Sequence, residues 1–189
     1  MSDPDTSSRT WPPHEIIVIP PPGHKDRQLM LDQCIHVRID VFIHEQQFSL
    51  DAEVDEYVVF FSNCASIFHA HSINRHDPTA THFLLRLVPS LTPIGTIRAY
   101  RVEGPNYYKL SRLAVLKPYR QYRFGRDLVL ALHRWAKGDA IRTGLQVAQV
   151  VCHSQLPVKG FYAKYVTFAP SYRGSINRLS FQDMVINLR

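Results

Sequence analysis

Between Leu110 and Gly138 the chain reads LSRLAVLKPYRQYRFGRDLVLALHRWAKG, and its apolar period changes once along the way. Leu110, Leu113, Ala114, Val115 and Leu116 form a run in which Arg112 is the only charge, the pattern of a buried strand. Pro118 ends that run, and residues 119–124 make a short loop. Beyond it, Phe124, Leu128, Ala131, Leu132 and Trp135 recur at helical spacing, and Gly138, just after Lys137, is the expected left-handed stop. The unit is therefore a strand, a short loop and then a helix. The loop also carries Arg120, Arg123 and Arg126 where backbone N–H groups and the helix dipole favour an anion. A phosphate or diphosphate is the ligand that suits it; the plain alternative is a basic, solvated connection.

At 189 residues with 45% hydrophobic content, the chain is expected to form one domain over residues 14–189, preceded by a flexible, polar and Pro-rich tail at 1–13. No apolar run approaches the ~20 residues that span a bilayer, and the N-terminus has no secretory pattern. Cys34, Cys64 and Cys152 have no metal-type spacing and cannot all pair, which points to a reduced, cytoplasmic setting, the nucleus being left open. The net charge of +6 invites nucleic acid as a partner. Apart from Arg120–Arg126, however, the basic residues are scattered, and a polyanionic cofactor accounts for that cluster equally well.

In chain order, Glu15–Pro20 reads as a first strand, followed by a helix from an Asp26 N-cap to about residue 43 in which Arg38 interrupts the apolar stripe. Acids are dense at Asp51, Glu53, Asp55 and Glu56. Val58–Phe61 and Ser66–His71 are possible strand pieces, and Ile73–Thr81 is a polar loop. His82–Val88 and Pro93–Arg101 are two strands, then Tyr107–Leu116 and, after the helix, Leu145–Cys152. His153–Gln155 is expected to lead into a short helix containing Phe161 and Tyr162. Closing strands are expected around Phe168 and at Ser180–Leu188, with Tyr172–Arg178 between them.

Three of these stretches resemble the GNAT superfamily of acyl-CoA-dependent N-acetyltransferases. Leu113-Ala114-Val115, Pro118-Tyr119-Arg120 and Leu128 match the family's strand, turn and helix, and residues 120–125 occupy its R/Q-x-x-G-x-G/A signature with Arg123 in place of the first glycine. Arg38, Val41, Phe42, Glu45 and Gln46, followed by Glu53 and Asp55, resemble the R-x-x-V-F-x-x-E-Q...E-x-D pattern of one subgroup. Ser154-Gln155, Val158, Phe161 and Tyr162 resemble the AQ-x-x-A-x-x-F-Y element, and Gly95-Thr96-Ile97-Arg98 its VGTIR-type strand. The resemblance implies a single α/β (α+β) domain: a mixed, mostly antiparallel sheet of about seven strands with helices on both faces.

It also implies transfer of an acetyl group from acetyl-CoA to a primary amine, small or on a lysine side chain, directly within a ternary complex. Backbone N–H groups near Leu113, Ala114 and Val115 would polarise the thioester carbonyl. The diphosphate would lie on the backbone and side chains of Arg120, Gln121, Tyr122, Arg123, Phe124, Gly125 and Arg126. Tyr162 matches the family's general acid. The base is open between His153, a carboxylate such as Glu45 or Glu53 acting through water, and no protein base at all. Glu45, Glu53 and Asp55 would receive a cationic amine, the plain alternative being a solvated loop in which Glu45 pairs with Arg38 or a nearby base, whereas an amino-sugar phosphate would need Arg98 and Arg101. Homodimers are common for this fold. The rival readings are an impaired GNAT-fold module that binds acyl-CoA or a protein partner, and a nucleic-acid binder. Neither a metal nor a membrane is implied.

Overall fold

The computed structural model describes residues 10–49, 57–59, 70–72, 77–102, 104, 107–145, 148–155, 159–165, 173–176 and 179–188. Its centre is a seven-stranded sheet in the order β1-β4-β5-β6-β7-β9-β8. These strands are β1 (His14–Val18), β4 (Thr81–Leu87), β5 (Pro93–Val102), β6 (Tyr107–Val115), β7 (Ala148–Gln155), β8 (Arg173–Ile176) and β9 (Leu179–Leu188). Every neighbouring pair is antiparallel except β6 and β7, which are parallel. A separate pair, β2 (Tyr57–Val59) and β3 (Ala70–Ser72), is antiparallel.

Helices cover the two faces, and alternation along β4 shows how. Phe83 and Leu85 enter one core cluster with Phe124, Leu128 and Leu132 of α2 (Phe124–Arg142). Leu84, between them, enters another with Leu31, Cys34 and Ile35 of α1 (Arg27–Arg38). Trp135 of α2 meets the rings of Phe83 and Tyr108 edge-on at 6.1 and 5.5 Å. Gly95 of β5 lies where no side chain fits. A Cβ there would sit 3.0 Å from Leu85 Cδ2 and 3.3 Å from both the Ala114 carbonyl and Leu128 Cδ1, so the glycine of the VGTIR-type motif lets α2 close on the sheet.

Several expectations need correction. The first helix does not end near residue 43 as an α-helix: after Arg38 it widens into a π-helical turn over Ile39–Glu45, marked by the Gln46 N–H to Val41 carbonyl bond at 3.0 Å. Asp26 holds the N-cap position without a side-chain cap bond. Gly138 does not stop α2. The helix runs on to Arg142 because Ala140 is buried and Tyr108 Oη donates to Asp139 Oδ2 at 2.8 Å; the left-handed glycine is Gly144, with φ of 72°. Ser154 and Gln155 stay in β7, paired with Gln182 and Phe181 of β9, and the short helix α3 is Lys159–Tyr162, with residues 156–158 outside the described residues. Arg173–Ile176 is a strand rather than a connection, and the strand expected around Phe168 lies outside the described residues. Of the expected tail, residues 1–9 lie outside the described residues, and two of the residues next to β1 make contacts. Trp11 meets Phe124 edge-on at 6.2 Å, and the Pro13 carbonyl accepts from the Val88 N–H at 3.0 Å.

Candidate active site

The central strand carries an extra residue. Gly95 and Thr96 of β5 pair with Val115 and Ala114, but Arg98 pairs with Ser111, and Arg112 between them has φ of 54°. One inserted residue reverses which side chains face which way. Ala114 therefore turns to the α1 face, packing with Val37 and Val41, while Val115 turns to the α2 face. On the other side, β6 pairs with β7 only through Tyr108–Val150, Lys109–Val151 and Leu110–Cys152. Beyond Leu110 the two strands are not paired, although both continue, to Val115 and Gln155. The sheet opens there into a gap, and half of the peptide groups along this part of β6 point towards it.

The signature loop closes the mouth of the gap. Lys117–Tyr122 is a 3₁₀ turn, and Arg123 follows at φ 59° and ψ 19°, the left-handed region. Arg123 thus adopts a conformation that glycine takes without strain, at a cost of about 1 kcal/mol. Not all amides expected to hold a diphosphate are available. Those of Arg123 and Arg126 donate to the carbonyls of Arg120 and Arg123 at 3.2 and 2.8 Å. Of the first residues of α2, Gly125 retains an N–H group at the accessible helix end, whereas Phe124 is completely buried. The Arg123 and Arg126 side chains are exposed beside that N–H. That donor set suits a dianion.

Arg120 is placed differently from its expected part. Its Nη1 and Nη2 donate to Glu45 Oε1 and Oε2 at 2.6 and 2.7 Å, and its Nε donates to the Val115 carbonyl at 2.9 Å. Hydrogen bonds from Arg120 hold the Glu45 carboxyl below its usual range. The carboxylate expected to face an amine is therefore paired with the arginine expected to face a phosphate. Arg38 does not pair with Glu45; it donates to both oxygens of Asp77 at 3.1 and 3.2 Å. Arg98 reaches Asp77 Oδ1 at 2.6 Å and Ser111 Oγ at 3.0 Å and is 3% exposed, so it is not presented to an acceptor; Arg101 is exposed. Burial alone would raise the Asp77 pKa, but the two guanidiniums outweigh it and keep the group below its usual range. His82 completes the cluster, its Nε2 3.1 Å from the Asp77 carbonyl, with burial lowering its pKa to about 4. Sequence reading missed Asp77, inside a segment taken as a polar loop; the only hint was that Arg38 and Arg98 both interrupt apolar patterns.

Tyr162, at the end of α3, is 8% exposed and belongs to the α2-side core together with Cys152. Burial, and then the neighbouring Cys152, raises its pKa above the ordinary phenol value, so the hydroxyl keeps its proton. Phe161 lies edge-on to Tyr162 at 5.0 Å, and its ring faces Gly125 at the start of α2. His153 is the first residue of β7 past the last pair with β6 and stands opposite Asp183 of β9. Glu53 and Asp55 lie outside the described residues.

The profile of the Acetyltransferase (GNAT) family matches residues 44–168, which run from the last two residues of the π-helical turn through the gap, the loop and α2 to α3. The chain belongs to the GNAT acetyltransferase family. YyaT of Bacillus subtilis strain 168 is 31% identical over 134 residues, covering 71% of this chain and 73% of its own. An acyl-CoA N-acyltransferase of Pseudomonas aeruginosa shares the fold with a TM-score of 0.63 at 14% identity, over 92% of this chain and 99% of that one. BjaI, a CoA-dependent acyl-homoserine lactone synthase solved with isopentyl-CoA, gives 0.65 at 12% identity, over 93% and 84%.

As a GNAT acyltransferase the protein binds an acyl-CoA and acts on an amine acceptor. Within that family frame, the VGTIR-type and R-x-x-V-F-x-x-E-Q motifs acquire structural reasons in this chain. Gly95 gives clearance for α2, Arg98 and Arg38 share Asp77, and Glu45 engages Arg120. Among the described residues no helix is long and apolar enough to cross a membrane.

Proposed function

We propose that this GNAT acyltransferase transfers an acetyl group from acetyl-CoA to a primary amine, on a small molecule or a lysine side chain, directly within a ternary complex. The observation that carries the reading is the parting of β6 from β7 beyond Leu110–Cys152, with the signature loop at the mouth of the gap. A thioester lying in the gap meets the peptide N–H groups around Leu113, Ala114 and Val115, which stabilise charge developing on its carbonyl oxygen. The diphosphate lies against the amide of Gly125 and the side chains of Arg123 and Arg126, with Gln121, Tyr122 and the buried Phe124 forming the turn behind them.

The unprotonated amine attacks the carbonyl carbon, the C–S bond breaks, and Tyr162 gives its proton to the departing thiolate. A proton must also leave the attacking nitrogen. His153, at the fork of the strands, is the base proposed for it, with Glu53 through a water as the other route. The acid-rich stretch containing Glu53 and Asp55 favours a cationic acceptor. Glu45, being paired with Arg120, is not assigned to acceptor binding.

Calorimetric titration of CoA and acetyl-CoA tests the donor half. The wild type is expected to bind both, and Gly125→Trp, which puts a bulky ring between the first α2 amides and Phe161, to lose both. A folded wild type that binds neither would leave the fold without this activity and favour the binding-module reading.

A further inference from the structure

Glu45 and Arg120 are 75 residues apart and meet fork to fork, in an arrangement that opposes the rest of the loop. The α2 N-terminus and the Arg123 and Arg126 side chains favour an anion, against Asp127 in the first turn of α2. Glu45 instead fixes a carboxylate on one of the arginines of that site. Its reason lies in the segment it belongs to. The π-helical turn Ile39–Glu45 packs Val41 against Ala114 of β6 and so walls the α1 side of the gap.

That turn is held at both ends by an ion pair, and the two pairs differ in kind. At its start, Arg38 and Asp77 are each 1% exposed, a pair that no ligand reaches. At its end, Arg120 and Glu45 are 41% and 34% exposed, so solvent and ligands reach both. The first is a fixed anchor and the second is exchangeable. Arg120 is bound at the same time to the Val115 carbonyl, so whatever moves its guanidinium is felt at the end of β6.

We propose that Glu45 is a displaceable counter-ion for Arg120. The diphosphate of an acyl-CoA competes with Glu45 for the guanidinium, and the π-helical turn, still anchored at Arg38, loosens at its Glu45 end. Donor binding then conditions the α1-side wall of the gap. Glu45 is in this sense a positioning residue that acts through Arg120. The inference rests on the acyl-CoA site proposed above. Linkage requires the competition to be reciprocal: what CoA does to the Glu45–Arg120 pair, loss of the Glu45 charge must do to CoA.

The test pairs calorimetric titration of CoA into wild type and Glu45→Gln with hydrogen exchange of a peptide covering residues 39–48, with and without saturating CoA. Melting temperature checks that the variant is folded. Glu45→Gln is expected to bind CoA about two- to fivefold tighter, the size of a partly exposed ion pair. In the wild type, CoA should speed exchange at Gln46 and its neighbours; in Glu45→Gln that exchange should be fast already. Binding to wild type with an unchanged or weaker affinity in Glu45→Gln overturns this inference alone. Tighter binding with no change in exchange shows only repulsion at a distance and overturns it as well. No CoA binding by either protein overturns the functional reading and this inference with it.

Discussion

Arg98 Nη1 lies 2.6 Å from Asp77 Oδ1, and both side chains are almost completely enclosed, at 4% and 1% exposure. Arg38 reaches the same carboxylate from α1 at 3.1 Å, so one buried anion joins the helix to β5 next to the inserted residue of β6. Removing that anion would take the shared carboxylate from two buried guanidiniums. Asp77→Asn is therefore expected to destabilise the fold by about 3–5 kcal/mol in urea unfolding at neutral pH. Arg98→Met, which leaves the Arg38–Asp77 pair intact, is expected to cost clearly less. Equal losses would show that Asp77 is not the centre of the cluster.

Two buried histidines set a pH dependence of stability. Burial lowers the pKa of His82 and, together with Lys137, that of His133 from 6.5 to about 4. Between those values the unfolded chain holds protons that the folded protein does not, so stability falls as pH drops from 6.5 towards 4 and the contribution is gone below it. Each histidine accounts for about 3 kcal/mol of that fall. Asp77 adds a loss at still lower pH, as its carboxylate protonates below its unfolded value of 3.8. His133 lies on the buried face of α2, and His133→Leu keeps much of its volume without a proton to gain. That variant is expected to match the wild type at pH 7.5 and exceed it at pH 5. Parallel urea curves at both pH values would remove His133 from the account.

Arg123 offers a test of strain. Its φ of 59° belongs to the left-handed region, and its side chain is exposed. Arg123→Gly is expected to leave the loop in place and change stability by between zero and about +1 kcal/mol, because relief of strain exceeds the added freedom of the unfolded chain. The same change removes a charge from the proposed diphosphate site, so CoA affinity should fall while the melting temperature holds or rises. A lower melting temperature would mean that the arginine side chain supports the loop.

These cases mark what was legible in the sequence. The strand, loop and helix over Tyr107–Arg142 showed themselves because period and punctuation are local. The insertion at Arg112 carried no glycine to announce it, and it governs which faces Ala114 and Val115 present. Gly138 misled because the continuation of α2 depends on Tyr108, 31 residues from Asp139, and on burial of Ala140. Asp77 reads as a loop acid until α1 and β5 are folded together around it. A basic partner for Glu45 is legible in the sequence, but nothing short-range shows that it is Arg120, 75 residues away, rather than Arg38. The elements were local information; the electrostatics of the site were not.

Tyr162 supplies the most direct test of the proposed chemistry. Its hydroxyl is enclosed beside Cys152, and its raised pKa keeps it protonated throughout the usual assay range, the condition for a donor to a departing thiolate. Tyr162→Phe removes that proton and almost nothing else, so stability is expected to change by less than about 1.5 kcal/mol. With an amine identified by screening, kcat should fall by about 100-fold or more while KM for the donor stays within about twofold, because the hydroxyl acts on the leaving group rather than on binding. The wild-type pH profile should show no basic limb from this residue below about pH 10, the ordinary phenol value. A variant with wild-type kcat would mean that solvent protonates the thiolate, and Tyr162 would then be a core aromatic that happens to stand at the end of α3.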